Sequence, residues 1–364
     1  FEYTFVLPIP STMPVNFATP DRAQPGLIII QASPATCWQH EQNMPQTNHT
    51  PTNPNMALQL DGQAPLPHLG VIQAQGEDAA NFLHNQLSND VLLLPVGQAR
   101  LAAFCSAKGR MQASFVLIKT APDTVLLILP QDLLAQTLKR LSMFVLRAKV
   151  KMTDATTQWQ LRGLLGKPAQ AMLANAAAWQ TVATDGAHAV TLYPAVLGDT
   201  QVARALWVAP TGTGTPAGTE ISTETWQWTE VMSGVTLISQ AVYEAFVPQM
   251  LNYESVGGVN FKKGCYPGQE VVARSQFRGT LKRRAYLVHA DAALQSGQEI
   301  FHSSDPEQPC GLVAAAAPSP TGGYDAIVSM QTSAETTPGQ LSALSPTGPV
   351  LTRQPLPYPL LEDI

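Results

Sequence analysis

Short apolar segments separated by turn residues run along most of this chain, and their order restricts the fold more than any other feature. Strands are predicted at residues 71–74, 100–104, 114–119 and 125–129, with helices starting at Glu77 and after Pro130. Further helices are predicted over residues 169–185 and from Trp226 to about Gly234. Strands and helices that alternate around hairpin turns such as Lys108-Gly109-Arg110 predict an α+β fold.

The pattern changes beyond Arg284. Short apolar strands at residues 285–289 and 311–315 alternate there with turns such as Ser296-Gly297. This part is expected to form a small β-barrel or sandwich. The expected organisation is therefore an α+β region over residues 57–275, made of two subdomains, followed by a C-terminal β-barrel over residues 276–364.

Residues 1–56 differ from the rest, since they are rich in Pro, Thr, Asn and Gln. This composition predicts a disordered segment. The chain begins with Phe1 rather than Met, so a sharper hypothesis is that translation starts at Met56 and the upstream stretch is a mis-assigned extension.

The composition excludes several classes of protein. A chain of 364 residues with 45% hydrophobic and 13% charged residues is globular and too long for one ordinary core. Its net charge of -5 excludes a surface built as a whole for nucleic acid. No apolar run predicts a membrane span or signal peptide, and four scattered cysteines suit a reducing compartment, so we expect a cytoplasmic protein without a protein-bound metal.

Positive charge is concentrated in one short segment. Residues 261–284 hold seven of the 21 Lys and Arg residues, with Glu270 as the single acidic residue: Lys262, Lys263, Arg274, Arg278, Lys282, Arg283 and Arg284. Such a stretch is either a solvated basic face or a site for an anion, for example a carboxylate-bearing cofactor tail, a phosphate or an RNA backbone.

Cys265 lies inside this segment, between Gly264 and Gly268. Glycines allow tight turns, and the neighbouring lysines are expected to lower the pKa of the thiol and favour the thiolate. The alternative is a small buried apolar residue, which is the preferred interpretation for Cys37, Cys105 and Cys310. A dyad of Cys265 with His289 is possible in space but has no support from spacing.

Residues 263–270, Lys-Gly-Cys-Tyr-Pro-Gly-Gln-Glu, resemble the signature K-G-C-Y-x-G-Q-E of the YgfZ family at every fixed position. Further stretches that resemble this family occur in the expected order, at residues 82–91, 105–110, 246–249, 257–258 and 355–358. The resemblance covers roughly residues 66–364.

The resemblance implies the fold of the glycine-cleavage aminomethyltransferase, in which two α+β subdomains and a C-terminal β-barrel enclose a cavity that holds tetrahydrofolate. It also implies an accessory role in iron–sulfur cluster assembly or repair, with an influence on tRNA modification. The implied partners are folate, iron–sulfur proteins or assembly factors and, indirectly, tRNA-modifying enzymes, with no membrane.

The resemblance also suggests site residues. Cys265, as a thiolate, and Lys263 are the catalytic candidates, and Trp226 is the candidate for stacking on a pterin ring. The remaining cofactor-binding candidates belong to the signature or the basic segment after it: Tyr266, Gln269, Glu270, Arg274 and Arg278. No residues are assigned to a metal.

Two positions depart from the family and its transferase relatives. A second folate-linked tryptophan falls near Leu69, and the transferase's catalytic aspartate falls at Gln112 or Ala113, which cannot ionise. Ordinary aminomethyl transfer is therefore disfavoured. Two other functions stay open: one-carbon transfer to an unidentified acceptor such as tRNA, and a non-catalytic interaction module that docks an acidic partner at Lys282 and Arg283.

Overall fold

The computed structural model describes residues 58–173, 176–184, 186–277 and 281–361. The expectations for residues 1–56 therefore lie outside the described residues. In chain order the strands are β1 (Gly62–Pro65), β2 (Leu69–Gln75), β3 (Ala99–Cys105), β4 (Met111–Ala121), β5 (Thr124–Pro130), β6 (Lys151–Asp154), β7 (Trp159–Leu165), β8 (Thr181–Thr184), β9 (Ala187–Thr191), β10 (Ala195–Leu197), β11 (Thr200–Val202), β12 (Arg204–Pro210), β13 (Arg283–Ala290), β14 (Glu299–His302), β15 (Asp305–Pro318), β16 (Tyr324–Gln331), β17 (Leu341–Ala343) and β18 (Val350–Gln354).

The helices are α1 (Ala79–His84), α2 (Gln131–Ser142), α3 (Lys167–Leu173), α4 (Thr223–Met232), α5 (Gln269–Phe277) and α6 (Thr332–Thr336). Short 3₁₀ helices occur at Thr156–Gln158, Gln240–Val242 and Pro248–Leu251. Within the described ranges, no helix has the length and apolar character needed to cross a membrane.

The first sheet has the strand order β3-β4-β5-β2-β6, and all its neighbouring strands are antiparallel. Its central strands are apolar on both faces, as expected for strands covered on both sides. Helix α2 packs on this sheet through Leu133, Leu134 and Leu141, whose spacing keeps them on one face of the helix.

The second sheet has the order β1-β7-β12-β9-β8 and is covered by α3 and α4. The helix predicted over residues 169–185 is confirmed up to Leu173 and is wrong at Thr181–Thr184, which is an edge strand that pairs with β9. The alanines favour a helix, but Thr181 and Val182 are β-branched, and pairing with an existing sheet overrides the local preference.

The C-terminal strands close into a barrel of order β13-β16-β15-β14-β17-β18. Helix α4 is joined to this barrel by a buried hydrogen bond of 2.7 Å from Trp228 Nε1 to Asp325 Oδ2 on β16. The α+β class with two mixed subdomains and a C-terminal barrel is therefore confirmed, and the strands predicted before residue 130 lie inside β2, β3, β4 and β5.

A buried ion pair fastens the barrel to the segment before the signature. Arg284 at the start of β13 contacts Glu254 at 2.6 Å, and both side chains are nearly inaccessible to water. Arg284 also donates to the carbonyl of Leu361 at 2.6 Å, so one guanidinium joins three parts of the chain. Burial raises the pKa of Glu254, and the charge of Arg284 acts in the opposite direction.

We expect Arg284→Leu to lower the free energy of unfolding by about 3–5 kcal/mol, because it leaves the Glu254 carboxylate buried without its partner. Arg274→Leu is the matched control, since Arg274 forms an exposed pair with Glu270 whose loss costs at most about 1 kcal/mol. Urea unfolding of both variants measures the difference. Equal losses would show that the buried pair is not a structural fastener.

Candidate functional site

A cavity of about 490 Å³ lies where the two sheets, helix α4 and the barrel meet. Strands β2, β3 and β4 contribute one side, β12 and α4 another, and Ala314, Ala315 and Ile327 of the barrel close it. A register shift in β15 between Val313 and Ala315 lies at this wall. The volume falls in the range of small-molecule and cofactor sites, about 300–1,000 Å³.

Trp226 borders this cavity, but its indole ring is buried by protein atoms rather than exposed to a ligand. Its exposed fraction is 1%, and the guanidinium carbon of Arg204 lies 4.5 Å from the ring centroid. The backbone of Gly163 on β7 lies against the six-membered ring, where a β-carbon would come within 2.3 Å of Cε3. A glycine is required at that point, and the indole has no open face for a pterin.

Arg204 is wholly buried in this stack, and burial lowers its pKa to about 10 while the charge of Glu230 opposes the shift. Its Nε donates to Thr229 Oγ1 at 3.2 Å, and another nitrogen donates to the carbonyl of Tyr193 at 3.3 Å. The guanidinium therefore has hydrogen-bond partners and a stacked ring, which is how a buried arginine keeps its charge.

Glu230 provides a partly exposed carboxylate at the cavity. It lies one helical turn after Trp226 on α4, and its Oε1 accepts from Trp226 Nε1 at 2.9 Å. Its Oε2 lies 3.3 Å from His68 Nε2, which is within ion-pair distance when the imidazole is protonated. The other ring nitrogen, Nδ1, is buried without a hydrogen-bond partner among the described residues, and such an unpaired polar atom at a cavity fits a polar ligand.

An aromatic wall is formed by Trp179 and Tyr193, both partly exposed, with ring centroids 6.0 Å apart. Trp179 has a positive φ of 69° and donates from Nε1 to the carbonyl of Val256 at 2.7 Å. Tyr193 rests edge-on against Tyr358 of the C-terminal segment at 5.5 Å. These rings, unlike the indole of Trp226, have surface available to a planar ligand.

The signature segment lies outside the residues that line this cavity. Cys265 is exposed on the loop before α5. Gly268 has a φ of 80°, and a β-carbon there would lie 2.4 Å from the carbonyl oxygen of Ser106. The signature glycine therefore permits the loop to press against the turn between β3 and β4.

The side chain of Lys263 attaches the signature segment to the end of helix α1 and the residues after it. Its Nζ donates to the carbonyl of Leu87 at 2.9 Å and also to the carbonyl of His84 at the end of α1. The ammonium lies 4.7 Å from the ring centroid of Tyr266, which is itself buried. Burial lowers the pKa of Lys263 from 10.5 to about 8, while Asp90 and Cys265 oppose the shift.

The other candidate residues are spread over this face of the chain. Burial raises the pKa of Tyr266. Gln269 begins α5, where Glu270 and Arg274 form an exposed ion pair of 2.6 Å. Arg278 lies outside the described residues. The cavity lining includes Trp226 from the predicted set, and the folate-binding role of every residue in that set, Trp226 included, stays a prediction.

The two departures from the family also have clear positions. Leu69, near which the resemblance leads us to expect a second folate-linked tryptophan, lines the cavity with an apolar side chain. Gln112 is buried, accepts from Arg140 Nε at 2.7 Å and donates to Glu244 at 2.6 Å. Its amide bridges two charged side chains and is absent from the cavity lining.

The described cysteines differ in accessibility. Burial raises the pKa of Cys105 to about 12 and also raises the pKa of Cys310, whereas Cys265 is exposed. Cys37 lies outside the described residues. The part of the chain that the structure describes contains no group of three or more His, Cys, Asp and Glu side chains arranged to hold a metal ion.

The fold and its central cavity define the aminomethyltransferase class of architecture. The family model of the GCVT N-terminal domain matches residues 62–235. The crystal structure of the glycine cleavage system aminomethyltransferase T from Bartonella henselae superposes with a TM-score of 0.58 at 14% identity, over 83% of this chain and 87% of that one. At this identity the likeness shows the fold alone.

Sequence relatives define the family. The chain is 31% identical to the tRNA-modifying protein YgfZ of Photobacterium profundum, over 61% of this chain and 68% of the relative. It is 28% identical to the protein of the same name from Vibrio atlanticus, over 58% and 65%, and 28% identical to an uncharacterized protein of Haemophilus influenzae, over 63% and 75%. The chain belongs to the YgfZ family.

Sequence reasoning missed most of the cavity wall. Glu230 had one available signal, its spacing of one helical turn from Trp226 on a predicted helix. His68, Trp179, Tyr193 and Arg204 come from segments that meet in space, and their spacing along the chain carries no signal for this.

We expect Lys263→Met to lower the free energy of unfolding by about 2 kcal/mol near neutral pH, because two carbonyls lose their donor. Between about pH 8 and 10.5 the amine of Lys263 is protonated in the unfolded chain but neutral in the folded one. The wild type therefore becomes more stable as pH rises over this range, the variant does not, and the loss caused by the substitution grows. Urea unfolding across pH measures the effect. Lys262→Met, at the exposed neighbour, is the control, and equal curves for the two variants would contradict the tether.

Proposed function

We propose that the protein binds tetrahydrofolate or a related reduced folate, with the pterin end in the central cavity. The observation that carries this proposal is the cavity of about 490 Å³ in a chain of the YgfZ family, with an aromatic wall and a partly exposed carboxylate. When bound, a reduced folate supplies a carrier for one-carbon groups.

The residues at the cavity fit this ligand. A pterin has a flat ring with apolar faces and an edge that carries both N–H donors and acceptors. Trp179 and Tyr193 offer ring surface to the faces, while Glu230 accepts and Gln227 both donates and accepts at the edge. The Nδ1 atom of His68, which has no hydrogen-bond partner among the described residues, gives the same edge another polar partner.

The charged residues Arg204 and Glu230 have different roles at the cavity. Arg204 is already bonded to Thr229 and Tyr193 and stacked on Trp226, so it holds the wall in shape, and the negative charge of Glu230 favours its charged form. Glu230 keeps one oxygen free of hydrogen bonds to the described residues. A carboxylate held in this way orients a ligand through its donor groups.

We expect calorimetric titration to show tetrahydrofolate binding to the wild-type protein. Glu230→Gln should weaken it by about 1.5–3 kcal/mol, or roughly 10–100-fold in Kd, because a charged acceptor at the cavity is lost. The matched control is Glu224→Gln, an exposed position on the same helix α4, which should leave Kd unchanged. Absence of binding by the wild-type protein would refute the folate proposal, and equal Kd values would refute the role of Glu230.

The wider role follows from the family. We propose that the folate-bound protein acts in the cytoplasm as an accessory factor in iron–sulfur cluster assembly or repair, with an indirect influence on tRNA modification. The named relatives from Photobacterium and Vibrio are tRNA-modifying proteins, which supports the second part. The exposed thiol of Cys265 supports the first, because an accessible cysteine is available to a partner protein.

In a strain that lacks the gene, we expect Cys265→Ala to fail to restore the activity of iron–sulfur enzymes, while the wild-type chain restores it. Cys310→Ala is the control, because this thiol is buried in the barrel. Enzyme activity is compared at equal protein level by immunoblot. Full restoration by Cys265→Ala would remove the thiol from the mechanism and leave folate binding as a separate question.

A further inference from the structure

A histidine–aspartate pair lies beside the signature loop, away from the central cavity. His84 ends helix α1, and its Nδ1 lies 3.2 Å from Asp90 Oδ1. Their side chains are only 12% and 9% exposed, so the pair is held in a nearly buried position. Because a carboxylate only accepts hydrogen bonds, neutral His84 donates from Nδ1 and keeps Nε2 as an acceptor.

The free nitrogen of this pair faces the residue before the exposed cysteine. His84 Nε2 lies 3.5 Å from the position that a β-carbon on Gly264 would take. Cys265 is the next residue after Gly264, and its side chain is exposed. Lys263 is in turn bonded to the carbonyl of His84, so the loop cannot drift from the pair without losing this bond.

We propose that Cys265, His84 and Asp90 form a thiol-activation site that reacts with an exposed disulfide of a partner protein. His84 is the base that takes the thiol proton, and Asp90 is a positioning residue that fixes its tautomer. The arrangement has the elements of a nucleophile, a base and a group that orients the base.

The step balances without a further reagent. The Cys265 thiol gives its proton to His84 Nε2, and the thiolate attacks one sulfur of the disulfide. The sulfur–sulfur bond breaks as a mixed disulfide with Cys265 forms, and the departing thiolate takes the proton back from His84. Cys265 is oxidised to the mixed disulfide, and the released partner sulfur is reduced to a thiol.

This inference rests on the proposed role of Cys265 and does not depend on folate binding. None of the three residues lines the central cavity. The folate titration and a thiol assay therefore report on different sites, and either proposal survives the failure of the other.

The test is the rate at which the full chain reacts with dithiodipyridine, an aromatic disulfide whose released thiopyridone absorbs light. The rate of Cys265→Ala gives the background of the other thiols. At neutral pH we expect His84→Ala to react at least about tenfold more slowly than the wild type, because the base is lost. Added imidazole should restore part of the rate of His84→Ala, an effect that a merely structural role would not produce.

Two further variants keep the test decisive. Asp90→Asn should slow the reaction and Asp90→Glu should retain most of it, because a carboxylate is needed to orient His84. His289→Ala is the matched control, since His289 pairs with Asp325 at 2.9 Å in the barrel and should react at the wild-type rate. Wild-type rates in folded His84→Ala and Asp90→Asn would overturn the proposal, as would a wild-type rate equal to the Cys265→Ala background.

Discussion

The arrangement of the signature depends on the placement of one amine. Lys263 reaches the carbonyls at the end of α1 and after it, where helix carbonyls have no partner within the helix. The chain thereby brings a glycine-rich loop from late in the sequence onto the first sheet. The position of Cys265 follows from this tether. A lysine in the signature segment invites a catalytic assignment, but here the hydrogen bonds of its amine are made to the backbone.

The shape of the cavity wall depends on a different contact, the packing of the Trp226 indole between the backbone of Gly163 and the guanidinium of Arg204. Gly163 allows the close approach on one side and Arg204 covers the ring on another. A buried arginine is costly unless its donors are satisfied, and Thr229 and Tyr193 satisfy two of them. The negative charge of Glu230, which lies at the cavity, offsets part of this cost. The buried Arg204 and the cavity-lining Glu230 therefore interact electrostatically.

Periodicity predicted the fold far better than the site. Strands β2 to β5 were predictable because their apolar runs end at glycine or proline turns. The helix over residues 169–185 was overextended because tertiary pairing decided the state of Thr181–Thr184. Trp226 was correctly placed on a helix, although α4 begins three residues earlier at Thr223, and its burial depends on Gly163, a contact between distant segments. The pairing of His84 with Asp90 was within reach of local spacing, but its approach to Gly264 was not.

The two proposed sites are joined by a continuous run of hydrogen bonds. Trp179 of the cavity wall donates to the carbonyl of Val256, and the next carbonyl, that of Gly257, accepts from Asn89 at 2.7 Å. Asn89 accepts in turn from the backbone of Asp90, which orients His84. Asn89 Nδ2 also donates to the carbonyl of Leu101 at 2.8 Å, so this run of bonds is anchored to strand β3 and restrains the distance between the sites. Transmission of a ligand signal would further require an element with two arrangements, and a single set of bonded partners favours a rigid frame.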